Sequence, residues 1–119
     1  MADIFTDAGE DLVVDILDGT TAVPTWRVAW GTGAGTAAKG DTTMFTEASE
    51  SRVNTTQSQP ASNQSRYVGT ITADGTKTIT NGGILDAASS GNLLLHSDHA
   101  GVALVSGDKI EYTFTITWA

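Results

Sequence analysis

The sequence predicts an all-β protein, an antiparallel β-sandwich of jelly-roll or immunoglobulin-like type carrying one short N-terminal helix. Three observations lead there. Residues 110–118 alternate without a fault, with Ile110, Tyr112, Phe114, Ile116 and Trp118 apolar and Glu111, Thr113, Thr115 and Thr117 polar, the period of an extended strand with one face on a core. From Arg66 onward, turn signals recur roughly every eight to twelve residues, the spacing of sandwiches and barrels. The composition agrees: 13 Gly and only 2 Pro, with abundant Thr, Ser and Ala, favour short strands joined by turns.

A length of 119 residues is that of a single domain. The expected layout is one domain over residues 1–119, with an N-terminal arm at 1–6 and a flexible loop at 57–65. After the arm, residues 7–19 read as the helix. Leu12, Val13, Ile16 and Leu17 recur at helical spacing, Asp7 is a candidate N-cap, Glu10 and Asp11 suit the first turn, and Gly19 suits the position just past the end. Such a short helix needs its apolar stripe packed on a sheet.

Residues 26–30 read as a strand with Trp26, Val28 and Trp30 on one face. A Gly- and Ala-rich loop follows over 31–41, then the anchors Met44 and Phe45. Residues 52–58 read as one Thr-rich strand. Residues 66–73 and 77–80, joined by Asp74-Gly75, read as a hairpin. Asn81-Gly82-Gly83 and His99-Ala100-Gly101 read as bends between short strands. The final strand is expected at the centre of a sheet with that hairpin or its neighbours. Trp118 would plug the core, and the uncharged outward row Thr113, Thr115 and Thr117 would be a subunit contact.

Acidic residues number 14 against 6 basic, for a net charge of −8. The six cations are scattered, so no nucleic acid and no anionic membrane is expected as a partner. There is no cysteine, which removes disulfides and thiolate metal sites. The first residues lack the apolar run of a secretory signal, and no stretch approaches the ~18 apolar residues of a membrane span. Folding in a cytoplasm is expected.

The chemistry-bearing patterns are weak. Gly31 to Gly35 follow a strand but lack the Gly-Lys-Ser/Thr of a phosphate loop. His96, Asp98 and His99 lie close in sequence, yet on a strand His99 points away from the other two and no second ligand cluster supports a metal. There is no Gly-x-Ser-x-Gly elbow. No catalytic residue, cofactor or metal site is assigned, and the protein is not expected to be an enzyme. The carboxylates Asp3, Asp7, Glu10, Asp11, Asp15 and Asp18 read as a solvated face, with docking to a basic partner as the sharper alternative. Trp26, Trp30 and Trp118 are expected in the core, and an exposed one becomes the first contact candidate. The candidate partner-binding residues are Phe5, Trp26, Trp30, Thr113, Thr115 and Thr117.

The runs Tyr67-Val68-Gly69-Thr70-Ile71-Thr72, Ile79-Thr80-Asn81-Gly82-Gly83-Ile84-Leu85-Asp86-Ala87, Gly91-Asn92-Leu93-Leu94 and Ser106-Gly107-Asp108-Lys109-Ile110-Glu111-Tyr112-Thr113 resemble small virion structural proteins of tailed bacteriophages. The resemblance extends to Trp30-Gly31-Thr32-Gly33 and Phe45-Thr46-Glu47. It implies a β-sandwich that works by contact, often as a homotrimer. The expectation it supports is a capsid decoration (cement) protein, assembled in the host cytoplasm, that binds the major capsid protein on the capsid surface and bridges capsomers. The alternative it leaves open is a tail, baseplate or fibre-associated protein, with host-surface binding as a further role.

Overall fold

The computed structural model describes residues 3–118. Among them are eight strands and one helix: β1 (Ile4–Phe5), α1 (Asp7–Leu17), β2 (Arg27–Gly31), β3 (Val53–Asn54), β4 (Thr56–Ser58), β5 (Gln64–Thr72), β6 (Lys77–Leu85), β7 (Leu93–Leu104) and β8 (Lys109–Thr117). They form two antiparallel sheets, ordered β1-β7-β6-β2-β3 and β4-β5-β8. The predicted sandwich is present. Its core lies between the sheets, where Val28, Trp30, Ile79, Ile84 and Leu94 from the larger meet Tyr67, Ile71, Tyr112, Phe114 and Ile116 from the smaller. Gly69 brings the sheets together, because a Cβ there would stand 2.5 Å from Val28 Cγ1.

Residues 1–2 of the expected N-terminal arm lie outside the described residues; residues 4–6 of the arm are held on the sheet. Ile4 and Phe5 pair with His96 and Leu95 of β7, and buried Thr6, not Asp7, caps the helix. Its hydroxyl accepts from the Gly9 N–H at 2.9 Å and donates to the Leu93 carbonyl at 2.6 Å, so one side chain ties the cap to the sheet. Gly19, at φ 75°, closes the other end as expected, with its N–H on the Ile16 carbonyl. Leu12 is buried and Val13 and Ile16 are partly so, but Leu17 is 80% exposed. At 100° per residue Leu17 rotates away from the Leu12 and Ile16 side that faces the sheet.

Four strand expectations change. Residues 52–58 are two strands in different sheets, with the crossing at Thr55, whose N–H and hydroxyl both donate to the Trp26 carbonyl. That placement puts residues 57–58 and 64–65 of the expected flexible loop, 57–65, into β4 and β5. The Asp74-Gly75 turn joins no hairpin: β5 pairs with β4 and β8, whereas β6 pairs with β2 and β7. Asn81-Gly82-Gly83 and His99-Ala100-Gly101 are strand interior rather than bends. Finally, β8 is an edge strand, paired with β5 over nine residues, and Trp118 lies beyond it, 41% exposed.

Candidate contact surface

The larger sheet has its outer face covered around Asn81, His96 and Asp98 and exposed at the Thr78 and Ala103 end. Asn81, Gly83 and Leu85 of β6 turn outward after a register shift between Ile79 and Asn81 reverses which face each residue meets. Over them lies the glycine-rich segment 32–46. Met44 packs with Ala29, Leu85 and Leu93 in a second small core. A polar row holds the rest of the segment by its backbone or side chains. Asp98 Oδ1 accepts from the Ala37 N–H at 2.8 Å, His96 Nδ1 meets Asp41 Oδ2 at 2.7 Å, and Asn81 grips the Phe45 backbone. His96 and Asn81 are fully buried and 2.9 Å apart through Nε2 and Oδ1. The segment needs glycine where it runs closest: a Cβ on Gly31 would lie 2.3 Å from the Phe45 carbonyl oxygen, and one on Gly83 2.4 Å from Met44 Cε.

This geometry explains the His96, Asp98, His99 triplet. His96 and Asp98 do share a face, and both anchor the covering segment; His99 turns the other way and meets the Tyr112 hydroxyl at 2.7 Å. Among the described residues no three His, Cys, Asp or Glu side chains are grouped as a metal site.

The smaller sheet has a bare outer face. Across β5 and β8, Arg66 stands opposite Thr115, Val68 opposite Thr113 and Gln64 opposite Thr117. Gln64 Nε2 donates to Thr117 Oγ1 at 3.2 Å and Arg66 Nε to Thr115 Oγ1 at 3.5 Å. Thr113 and Thr117 are exposed and Thr115 is half-buried, so the predicted threonine row does face outward. At the open edge of β8, the Thr115 N–H reaches Asp3 Oδ2 at 3.4 Å, and burial pushes the Asp3 carboxyl above its ordinary value against that hydrogen bond.

A third surface lies where the helix meets the end of β8. Phe5 and Trp118 contact edge to face, centroids 5.5 Å apart, and with Val13, Val14, Leu17 and Glu10 they line an open groove of about 430 Å³. Phe5 therefore does reach a surface. Trp26 and Trp30 are buried in the core instead: they are 7% and 1% exposed, Trp26 packs on Tyr67, and Trp30 Nε1 donates to Glu50 at 2.8 Å. Sequence reasoning missed this surface because the helical spacing placed Leu17 in the buried stripe, with Val14 left unassigned, and a perfect alternation placed Trp118 inside. The strand ends one residue earlier. Trp118 is held instead by its N–H on the Asn63 carbonyl and by Asn63 Nδ2 on its own carbonyl oxygen.

Two stacked antiparallel sheets, one outer face partly covered by a clasped segment and the other open, suit a protein that works by its surfaces. Comparison with known families places the chain in that class: it is a small structural protein of the tailed-phage virion. It belongs to the family of the podophage GP4 fiber I protein gp80, whose model matches residues 5–116. A search of curated proteins found no match.

Proposed function

We propose that this chain is a fibre-associated component of the phage virion that acts by binding its neighbours, not by catalysis. The observation that carries this reading is the family match over residues 5–116, which names a fibre protein. It favours a place in the tail fibre apparatus over the capsid-cement role that the sequence suggests, in which the partner would be the major capsid protein. The bare threonine face of the smaller sheet and the apolar groove at its end are the contact surfaces this role would use. Assembly as a homotrimer fits the closed symmetry common to such parts.

Quantitative gel densitometry of purified virions tests the assignment. A fibre-associated component is present in few copies relative to the major capsid protein, and immunogold label falls on the fibre. A yield comparable to the major capsid protein, with label over the head, would return the capsid-cement reading. Light scattering on the purified chain reads the oligomer number.

A further inference from the structure

The groove beside α1 combines two features that together specify an occupant. Its floor and walls are apolar, with Val14 53%, Leu17 80% and Trp118 41% exposed above half-buried Phe5 and Val13. Apolar side chains gathered this way on a surface mark a place that something else covers. Along one side of that stripe run Asp7, Asp11, Asp15 and Asp18, spaced four, four and three residues apart on the helix, so they share a flank next to Val14. Lys39 ion-pairs with Glu10 and Asp7, but among the described residues no cation pairs with Asp11, Asp15 or Asp18.

From these we propose that the groove docks an amphipathic segment of a partner protein, with apolar side chains seated between α1 and the Phe5–Trp118 pair and Lys or Arg side chains meeting the Asp11, Asp15 and Asp18 flank. This assignment rests on the contact role proposed above and names the chemistry of one partner. The charge decides against the other occupants. A second copy would bring two acidic flanks together, and a nucleic acid or an anionic lipid surface would meet the same repulsion. A basic amphipathic segment gains from both halves of the site, apolar burial for affinity and opposite charge for orientation and association rate.

The test uses a model helical peptide of leucine and lysine in amphipathic register, and a leucine–glutamate peptide of the same pattern, titrated into the purified chain at low salt. Trp118 is the reporter, since Trp26 and Trp30 are buried. The expected result is a saturable blue shift of tryptophan emission with the lysine peptide and none with the glutamate peptide. Affinity should fall about tenfold or more in Leu17→Ser, in the triple variant Asp11→Asn/Asp15→Asn/Asp18→Asn, and on raising the salt. Leu17 is so exposed that the variant keeps its fold, checked by its thermal melt. No saturable shift, equal binding of both peptides, or wild-type binding by Leu17→Ser would overturn the proposal. So would an emission shift that follows protein concentration without peptide, which would make the occupant a second copy. Each of these outcomes is independent of copy number in the virion, so this proposal and the fibre assignment fail separately.

Discussion

Asn81 and Phe45 are joined by a reciprocal pair of hydrogen bonds: Asn81 Oδ1 accepts from the Phe45 N–H at 3.0 Å while Asn81 Nδ2 donates to the Phe45 carbonyl at 3.1 Å. One buried amide thus plays the part of a second strand partner for Phe45, whose carbonyl also accepts from the Gly33 N–H at 2.9 Å. The same Oδ1 meets His96 Nε2, so the amide links the covering segment to β7 as well as β6.

Asn81→Ala removes both bonds and takes the partner from the Phe45 N–H and from the buried His96 Nε2, while the Phe45 carbonyl keeps the Gly33 N–H at 2.9 Å. The expected loss is about 2–4 kcal/mol in urea denaturation. Local release should exceed global unfolding, so trypsin should cut after Lys39, which lies in the covering segment, faster than the change in overall stability accounts for.

Glu50 governs the acid limb of stability. Burial opposes its ionisation, but hydrogen bonds from Lys77, the Asp74 N–H and Trp30 Nε1 outweigh burial and hold the carboxyl at about 2, against an ordinary 4.5. The folded value is the lower one, so the stabilisation is complete above pH 4.5 and drains away as pH falls toward about 2. Denaturation midpoints measured across that window should decline, and Glu50→Gln should flatten the decline while lowering stability at neutral pH by about 2 kcal/mol.

The alkaline limb belongs to the tyrosines. Burial pushes the Tyr112 hydroxyl far above its ordinary value of 10.0, and burial likewise raises Tyr67, partly offset by a hydrogen bond with Ser65. Both raised values mean stabilisation that is complete below pH 10 and lost above it, because the unfolded chain ionises first. With only 2 Tyr in the sequence, phenolate absorbance should stay silent on alkaline titration and then appear in one step with unfolding. Gradual ionisation ahead of the circular dichroism change would contradict this placement.

Gly9→Ala sets a helix gain against a clash. Alanine favours a helix by about 1 kcal/mol over glycine, but a Cβ at Gly9 would lie 2.6 Å from the Leu94 carbonyl oxygen and 2.9 Å from its Cα. Those are backbone atoms of β7 and cannot rotate away, so a net loss of about 1–3 kcal/mol is expected. Gly75→Ala, with no atom within 4 Å of the added carbon, should stay within about 0.5 kcal/mol. Thermal melts of the two variants side by side check the contrast.

Alternation in the sequence was enough to find β8 and to turn Tyr112, Phe114 and Ile116 inward, because side-chain period reports which face a residue meets. It says nothing of which strand lies alongside. That is why Asp74-Gly75, a good hairpin signal, instead carries the chain from one sheet to the other, with Ala73 bonded through its N–H to the Asp108 carbonyl. The polar interior of β6 was hidden for a related reason. Asn81 and two glycines look like a bend until the covering segment is present to bond Asn81 and press on Gly83, and Tyr112 to press on Gly82 from the core side. The register shift before Asn81 then breaks the period that would have exposed the pattern. Of the contact candidates, the threonine row was legible as an outward face and Phe5 as an aromatic in the arm. The groove was not, since it joins residues from the two ends of the described chain.

The covering segment 32–46 also gives the molecule a top and a bottom. One broad side carries backbone clasped by Asn81, His96 and Asp98, and the other shows threonine hydroxyls set among Gln64, Arg66 and Val68. Neighbours packed against such a body can tell its sides apart. A partner shaped for one side therefore does not fit the other, and the difference between the two faces is a property of the single chain.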